Sequence, residues 1–432
     1  MRMKFNKSSQ LLLVSAASLL VAGLVTACGS LTVDFVFVAS SRAAGTNAYG
    51  EIDVLEINSE SGAMRRIPTS PFPSGGRDPV AEAVSSDNTN LYVVNQDDNS
   101  IVQFIIGNDG KLYPQNTVNT PGIYPVAVAV NGTNLFVVDT YQPLPKCSTA
   151  APCSGSIAVY NITASSSSPP SDELGSPVAN GSLNYWPLSL PGSPNDLIEP
   201  MGISVLPSGS FAYVTAYDAT ANTSYIFGFS ISAGGVLTPL NGGAPLTGGP
   251  FSTGVCSNAF LNAPYELGTC PSSIASDPSN NYVYVTDSAH GAVLSYSVGS
   301  SGLLTQLSGG SVRAGNQPSA IMVDPNFPYV YVTNALDSTV SAYSASNGAL
   351  TNLGTYTAGT EPVAIGIDPS TNHFLFTVNY LGGSITGTVS GFEMNTSSGA
   401  LVNSQSSPYT VDAYPTAVTA IPHGASPSTS KN

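Results

Sequence analysis

The sequence predicts an all-β fold, a seven-bladed β-propeller closed by pairing the C-terminal strand with the N-terminal strands. Three observations carry this prediction. A strand–bend–strand sentence recurs along the chain, a proline-led strand stands before each copy, and the two chain ends hold complementary halves of one further unit. Composition agrees: of 432 residues 42% are hydrophobic and only 9% charged, with 42 Gly and 33 Pro, a balance that suits many short strands and tight turns.

In chain order, residues 1–27 read as an export signal, with Arg2, Lys4 and Lys7 ahead of the apolar run "LLLVSAASLLVAGLV". The run ends in "VTAC", which resembles a bacterial lipobox and makes Cys28 the expected lipidated N-terminus. Residues 28–31 are then a short tether, 32–421 the propeller and 422–432 a disordered tail. These features place the protein outside the cytoplasm, anchored by lipid in the cell envelope on the periplasmic or surface face of the outer membrane, and as a monomer. Removing the three basic signal residues from 11 Lys and Arg leaves 8 against 26 Asp and Glu, a net charge of −18. Such acidity excludes nucleic acid as a partner class, so a small-molecule ligand or an envelope protein is expected.

The strand sentence is clearest in "YVTNALDSTVSAYSASNGALTNL" at 331–353, and it recurs from Leu91, Leu135, Ala212, Val283 and Leu375. The proline signature reads "DPVAEAV", "YPVAVAV", "EPMGISV", "CPSSIAS", "QPSAIMV", "EPVAIGI" and finally "YPTAVTA" from Tyr414. The last has no sentence behind it, whereas the N-terminal "FVFVASSRAAGTNAYGEIDVLEINSESGAM" has no proline strand in front. Joined, they complete a seventh unit and remove the open sheet edge. Two positions after the prolines stand small residues (Ala81, Ala127, Gly202, Ser273, Ala320, Ala364, Ala417), as crowding toward one axis requires. Three positions after them the residues are Val or Ile, except at Glu82.

Four cysteines beyond Cys28 form two local pairs, Cys147 with Cys153 and Cys256 with Cys270. In an exported chain these are expected disulfides. Their spacing does not suit zinc, no Asp-x-Asp-x-Asp-Gly calcium loop is present, and neither a metal nor a cofactor is expected. Residues 163–181 read as a flexible Pro/Ser loop, and 242–269 as a long loop beside the ligand-binding face.

These units resemble the seven-bladed propellers named for the Tyr-Val-Thr-Asn repeat, which are related to lactonase-like propellers of the 6-phosphogluconolactonase group. The resemblance implies a central funnel opening where the loops before the prolines meet the loops after the Tyr-Val-Thr-Asn strands. The polar residues of those loops make a candidate site there, with Glu199 or Glu361 as base, Arg77 as electrophilic partner, Tyr124 or Tyr414 as proton donor, and Asp78, Gln317 and His290 as further ligand contacts. Glu82 joins the candidate catalytic set as an axial carboxylate, with Arg77 its nearest partner in sequence. Catalytic-type members of the group resemble one another in having histidine after the proline of an inner strand; here Val80, Val126, Met201, Ser272, Ser319, Val363 and Thr416 stand there. The sequence therefore predicts a ligand- or protein-binding module first, a lactone hydrolase as the alternative, and a structural envelope module third.

Overall fold

The computed structural model describes residues 32–41, 49–143, 153–164, 172–221, 223–246, 271–369, 373–381 and 386–423. Among these, seven antiparallel sheets are arranged as blades. Their innermost strands are Pro79–Val84, Ile123–Asn131, Ile198–Val205, Ser273–Ser276, Pro318–Val323, Pro362–Ile367 and Pro415–Pro422, which begin blades 1 to 7 in that order. Each of these strands touches the next, and the seventh touches the first, so the ring is closed. Closure runs through Thr32–Ser40, which pairs with Pro415–Pro422 on one side and with Glu51–Asn58 on the other.

The core consists of seven seams rather than one centre. Each buried cluster draws side chains from two neighbouring blades, as where Val36 and Val38 of blade 7 meet Phe374, Phe376 and Val378 of blade 6. This explains why no single repeat is self-sufficient: its apolar faces are covered only by its neighbours. The proline signature has the same origin. A Cβ on Gly50 would come within 2.2 Å of the Pro79 ring, one on Gly155 within 2.4 Å of Pro200, and one on Gly387 within 2.1 Å of Pro415. Each glycine opens the third strand of one blade, and the proline of the next blade packs onto it.

Immediately after the proline the inner strand bulges. Pro79 faces Asn95 while Ala81 faces Val94, which leaves Val80 as the extra residue; the same shift occurs at Val126, Met201, Ser319, Val363 and Thr416. Most side chains at the position after the proline are spent on the seams. Thr416 Oγ1 donates to the Pro79 carbonyl at 2.7 Å, Ser319 Oγ to that of Pro362 at 2.6 Å, and Ser272 Oγ to that of Pro318. Val80, Val126 and Val363 pack into the clusters. The position at which the resemblance looks for histidine is here part of the joint between blades.

Residues Asp172–Pro177 form the outer strand of blade 2, paired with Ser156–Ala164, so this part of the expected flexible loop is ordered sheet. Cys28, Cys147, Cys256, Cys270 and residues 247–270 lie outside the described residues, so each expected cysteine pair has at least one member there. Both ends of the described chain, Thr32 and the strand end at Pro422, lie on the face opposite the prolines.

Candidate functional site

Antiparallel register places Pro79 beside Asn95, Pro318 beside Asn334 and Pro362 beside Asn379. The loops before the prolines therefore share one face with the loops after the Tyr-Val-Thr-Asn strands, and together they form the mouth of the funnel. The terminal Asn and Asp side chains of those strands brace the loops: Asn334 Oδ1 accepts from the Gly315 amide at 2.9 Å, and Asp139 Oδ2 from the Gly122 amide at 3.3 Å.

The residue before the proline has an unusual backbone. Asp78, Tyr124, Gln317, Glu361 and Tyr414 have φ of 56°, 56°, 53°, 58° and 56°. For bulky side chains this region is strained, and each such residue costs on the order of 1–3 kcal/mol. A repeated hydrogen bond holds it. The Asp78, Gln317, Glu361 and Tyr414 carbonyls accept from the backbone N–H of Gln96, Ala335, Tyr380 and Ser41 at 2.8–2.9 Å. Glycine would satisfy this geometry without strain.

Three of these residues, from consecutive blades 6, 7 and 1, converge. The Tyr380 and Tyr414 rings lie 4.9 Å apart between centroids. Burial raises the proton affinity of the Tyr380 hydroxyl, and the nearby Tyr414, Glu361 and Asp78 raise it further. Asp78 accepts from Ser41 Oγ at 2.5 Å. Glu361 is half-buried, and desolvation lifts its carboxyl above the usual range. Glu199 lies across the ring in blade 3, where its charge acts on Tyr217. Tyr124 packs edge-on against Tyr141 with centroids 6.3 Å apart. Tyr141, Tyr217 and Tyr380 were missed in the sequence, although each stands one or two residues beyond the Tyr-Val-Thr-Asn strand and so had to face the same mouth.

One expectation is corrected. Arg77 is not the partner of Glu82: its Nε donates to Asp98 Oδ1 at 2.7 Å, its backbone N–H to Asp98 Oδ2 at 2.7 Å, and its Nη2 to the Asp97 carbonyl at 3.2 Å. Asp98 clamps the loop as Asp337 does at Asn316, where the two bonds measure 2.6 and 2.8 Å. Glu82 shares its strand face with Val84, which packs into the blade 7–blade 1 seam. Both its carboxylate oxygens are sealed from water without a hydrogen bond of good geometry. Desolvation pushes its pKa up to about 8, opposed only by the Thr419 backbone amide. Its carboxyl lies against blade 7, where burial makes it hold its proton more tightly than an exposed glutamate.

His290, in the loop after the second strand of blade 4, lines a separate cavity with Arg313 and Gln317. Buried Asp287 accepts from His290 Nδ1 at 2.7 Å and from its backbone N–H at 3.1 Å.

The family described as "Lactonase, 7-bladed beta-propeller" matches residues 43–174, 269–364 and 310–410. Among solved structures, a putative 6-phosphogluconolactonase from Bacteroides uniformis is similar at 18% identity and a TM-score of 0.65, covering 90% of this chain and 100% of that one. One from Bacteroides fragilis is similar at 18% identity and 0.63, covering 91% and 99%. The periplasmic gluconolactonase of Pseudomonas aeruginosa is similar at 16% identity and 0.61, covering 90% and 99%. No curated protein sequence matches. At such identities the solved structures share the fold alone.

Proposed function

The chain belongs to the lactonase family of seven-bladed β-propellers, and from that membership we propose that it hydrolyses an uncharged, hydroxyl-rich lactone at the funnel mouth. The observation that carries the reading is the strained ring of non-glycine side chains, which brings Glu361, Tyr414 and Asp78 together around Tyr380.

The chemistry needs a base for water and a donor for the developing oxyanion. Ionised Glu361 takes a proton from water as the water oxygen bonds to the lactone carbonyl carbon. Tyr414, held by its contact with Tyr380, donates to the carbonyl oxygen. Collapse breaks the bond from the carbonyl carbon to the ring oxygen, which takes up a proton to give the open hydroxy acid. Carboxylates at the mouth disfavour phosphorylated substrates, and Arg77 is held by Asp98. Tyrosine faces suit the C–H surface of a sugar-like ring.

The envelope location belongs to the same proposal. With lipid on Cys28, the tether joins the body at Thr32, on the face opposite the mouth, so the funnel opens away from the membrane.

Turnover of neutral and phosphorylated aldonolactones by the wild type and Glu361→Gln tests the reading. Hydrolysis of the neutral lactones that falls at least 100-fold in the variant is expected. Saturable lactone binding without turnover would leave a binding module, the reading favoured by the absence of histidine after the inner-strand prolines.

A further inference from the structure

The chain has few cations, and their placement is selective. Among the described residues the Lys and Arg side chains are Arg65, Arg66, Arg77, Lys111 and Arg313. Arg65 pairs with Glu56, Arg66 with Asp53, Arg77 with Asp98 and Lys111 with Asp109. Arg313 is in none of these pairs. It lines a cavity of about 670 Å³ over the seam between blades 4 and 5, on the face of the funnel mouth.

The other polar groups of that cavity are fixed in place. Asp287, 4% exposed, holds His290 by both its ring and its backbone. Asp337 holds Asn316 by its backbone N–H at 2.6 Å and its side-chain amide at 2.8 Å. Gln317 has the strained backbone of the mouth ring, at φ 53°, and thereby joins the cavity to the funnel. Leu336, 60% exposed, supplies an apolar wall.

We propose that this cavity is an anion subsite that takes the carboxylate of a hydroxy-acid monoanion. A guanidinium offers a planar fork that matches a carboxylate bidentately. A single guanidinium, in a protein with 26 acidic residues, suits one negative charge better than a phosphate dianion. The amides of Asn316 and Gln317 add donors and acceptors for hydroxyl groups. Opening a neutral lactone generates such an anion, so the subsite also fits a product beside the mouth, but the assignment stands on the cavity alone.

Calorimetric titration of the full chain in detergent with D-gluconate, inorganic phosphate and sorbitol tests it. Gluconate is expected to bind saturably, at least tenfold more tightly than either of the others. Affinity should fall at least tenfold in Arg313→Ala and fall in His290→Ala, while Lys111→Ala, which removes an exposed cation of blade 1 outside the cavity, binds like the wild type. Arg313 is exposed, so its loss leaves the fold intact. No gluconate binding, equal binding by Arg313→Ala, or equal binding of sorbitol or phosphate overturns the proposal. Gluconate binding that requires Arg313 in a protein without lactone turnover would retain the subsite and remove the hydrolase reading.

Discussion

Replacing Glu82 by Gln should change how stability depends on pH, and the size follows from burial. In the folded protein Glu82 keeps its proton up to a pKa of about 8, against 4.5 for the unperturbed group. The unfolded chain releases that proton near pH 4.5, so between the two values the folded state binds more protons and stability falls as pH rises. Below this window both states are protonated, and above it both are ionised and the cost is constant. Each pH unit inside the window costs about 1.4 kcal/mol. Holding the neutral acid at pH 7 therefore costs about 3 kcal/mol relative to pH 4, in a protein whose total stability is small on that scale. Glutamine keeps the shape and does not titrate. The stability difference between Glu82→Gln and wild type should thus move in the variant's favour by about 1.4 kcal/mol per pH unit from about pH 5 to 8. Urea unfolding of both proteins across pH 4–9 measures it. Asp53 and Asp139, each pushed up to about 7 chiefly by burial, titrate in both proteins and cancel in the difference. A difference independent of pH would refute the assignment of Glu82 as a buried neutral acid.

Further predictions concern the joints and the mouth. Ser319→Ala removes the hydroxyl that ties blade 5 to the Pro362 carbonyl and should lower unfolding free energy by about 1 kcal/mol, read by urea titration; a neutral result would remove the inter-blade tie. Gly155→Ala drives a methyl group onto Pro200 and the Asp139 carbonyl, at 2.4 Å each, and should cost more, about 1–3 kcal/mol, seen as a lower thermal midpoint. Arg77→Ala should leave lactone turnover within about twofold, since the side chain serves Asp98; a loss near 100-fold would return Arg77 to the reaction.

Ring closure was legible in the sequence because it is written as repetition. Seven proline signatures and two complementary ends admit one arrangement, and the observed pairing of Thr32–Ser40 with Pro415–Pro422 is that arrangement. The outer strand of blade 2 was not legible. "DELGSP" carries no β-branched residue and follows a Pro/Ser run, and outermost strands need little pattern because water covers one edge; in Leu112–Asn119 most positions are exposed. The Arg77–Glu82 pairing failed because nearness in sequence crosses from a loop into a seam between blades, whereas Asp98, 21 residues away, is brought close by the hairpin. Glu361, Tyr414 and Asp78 were each readable as residues preceding a proline. Their convergence on Tyr380 depends on the order of blades 6, 7 and 1 around the ring, which only the closed structure supplies.

In the proposed reaction Glu361, raised in proton affinity by its half-buried place at the mouth, activates water against a lactone. Initial rates of neutral aldonolactone hydrolysis between pH 5 and 9, corrected for spontaneous opening and compared between wild type and Glu361→Gln, test it most directly. The enzymatic rate is expected to rise with pH through an apparent pKa above the ordinary carboxylate range and to be lost in the variant. A wild-type rate equal to the spontaneous one, or one that Glu361→Gln retains in full, would contradict it.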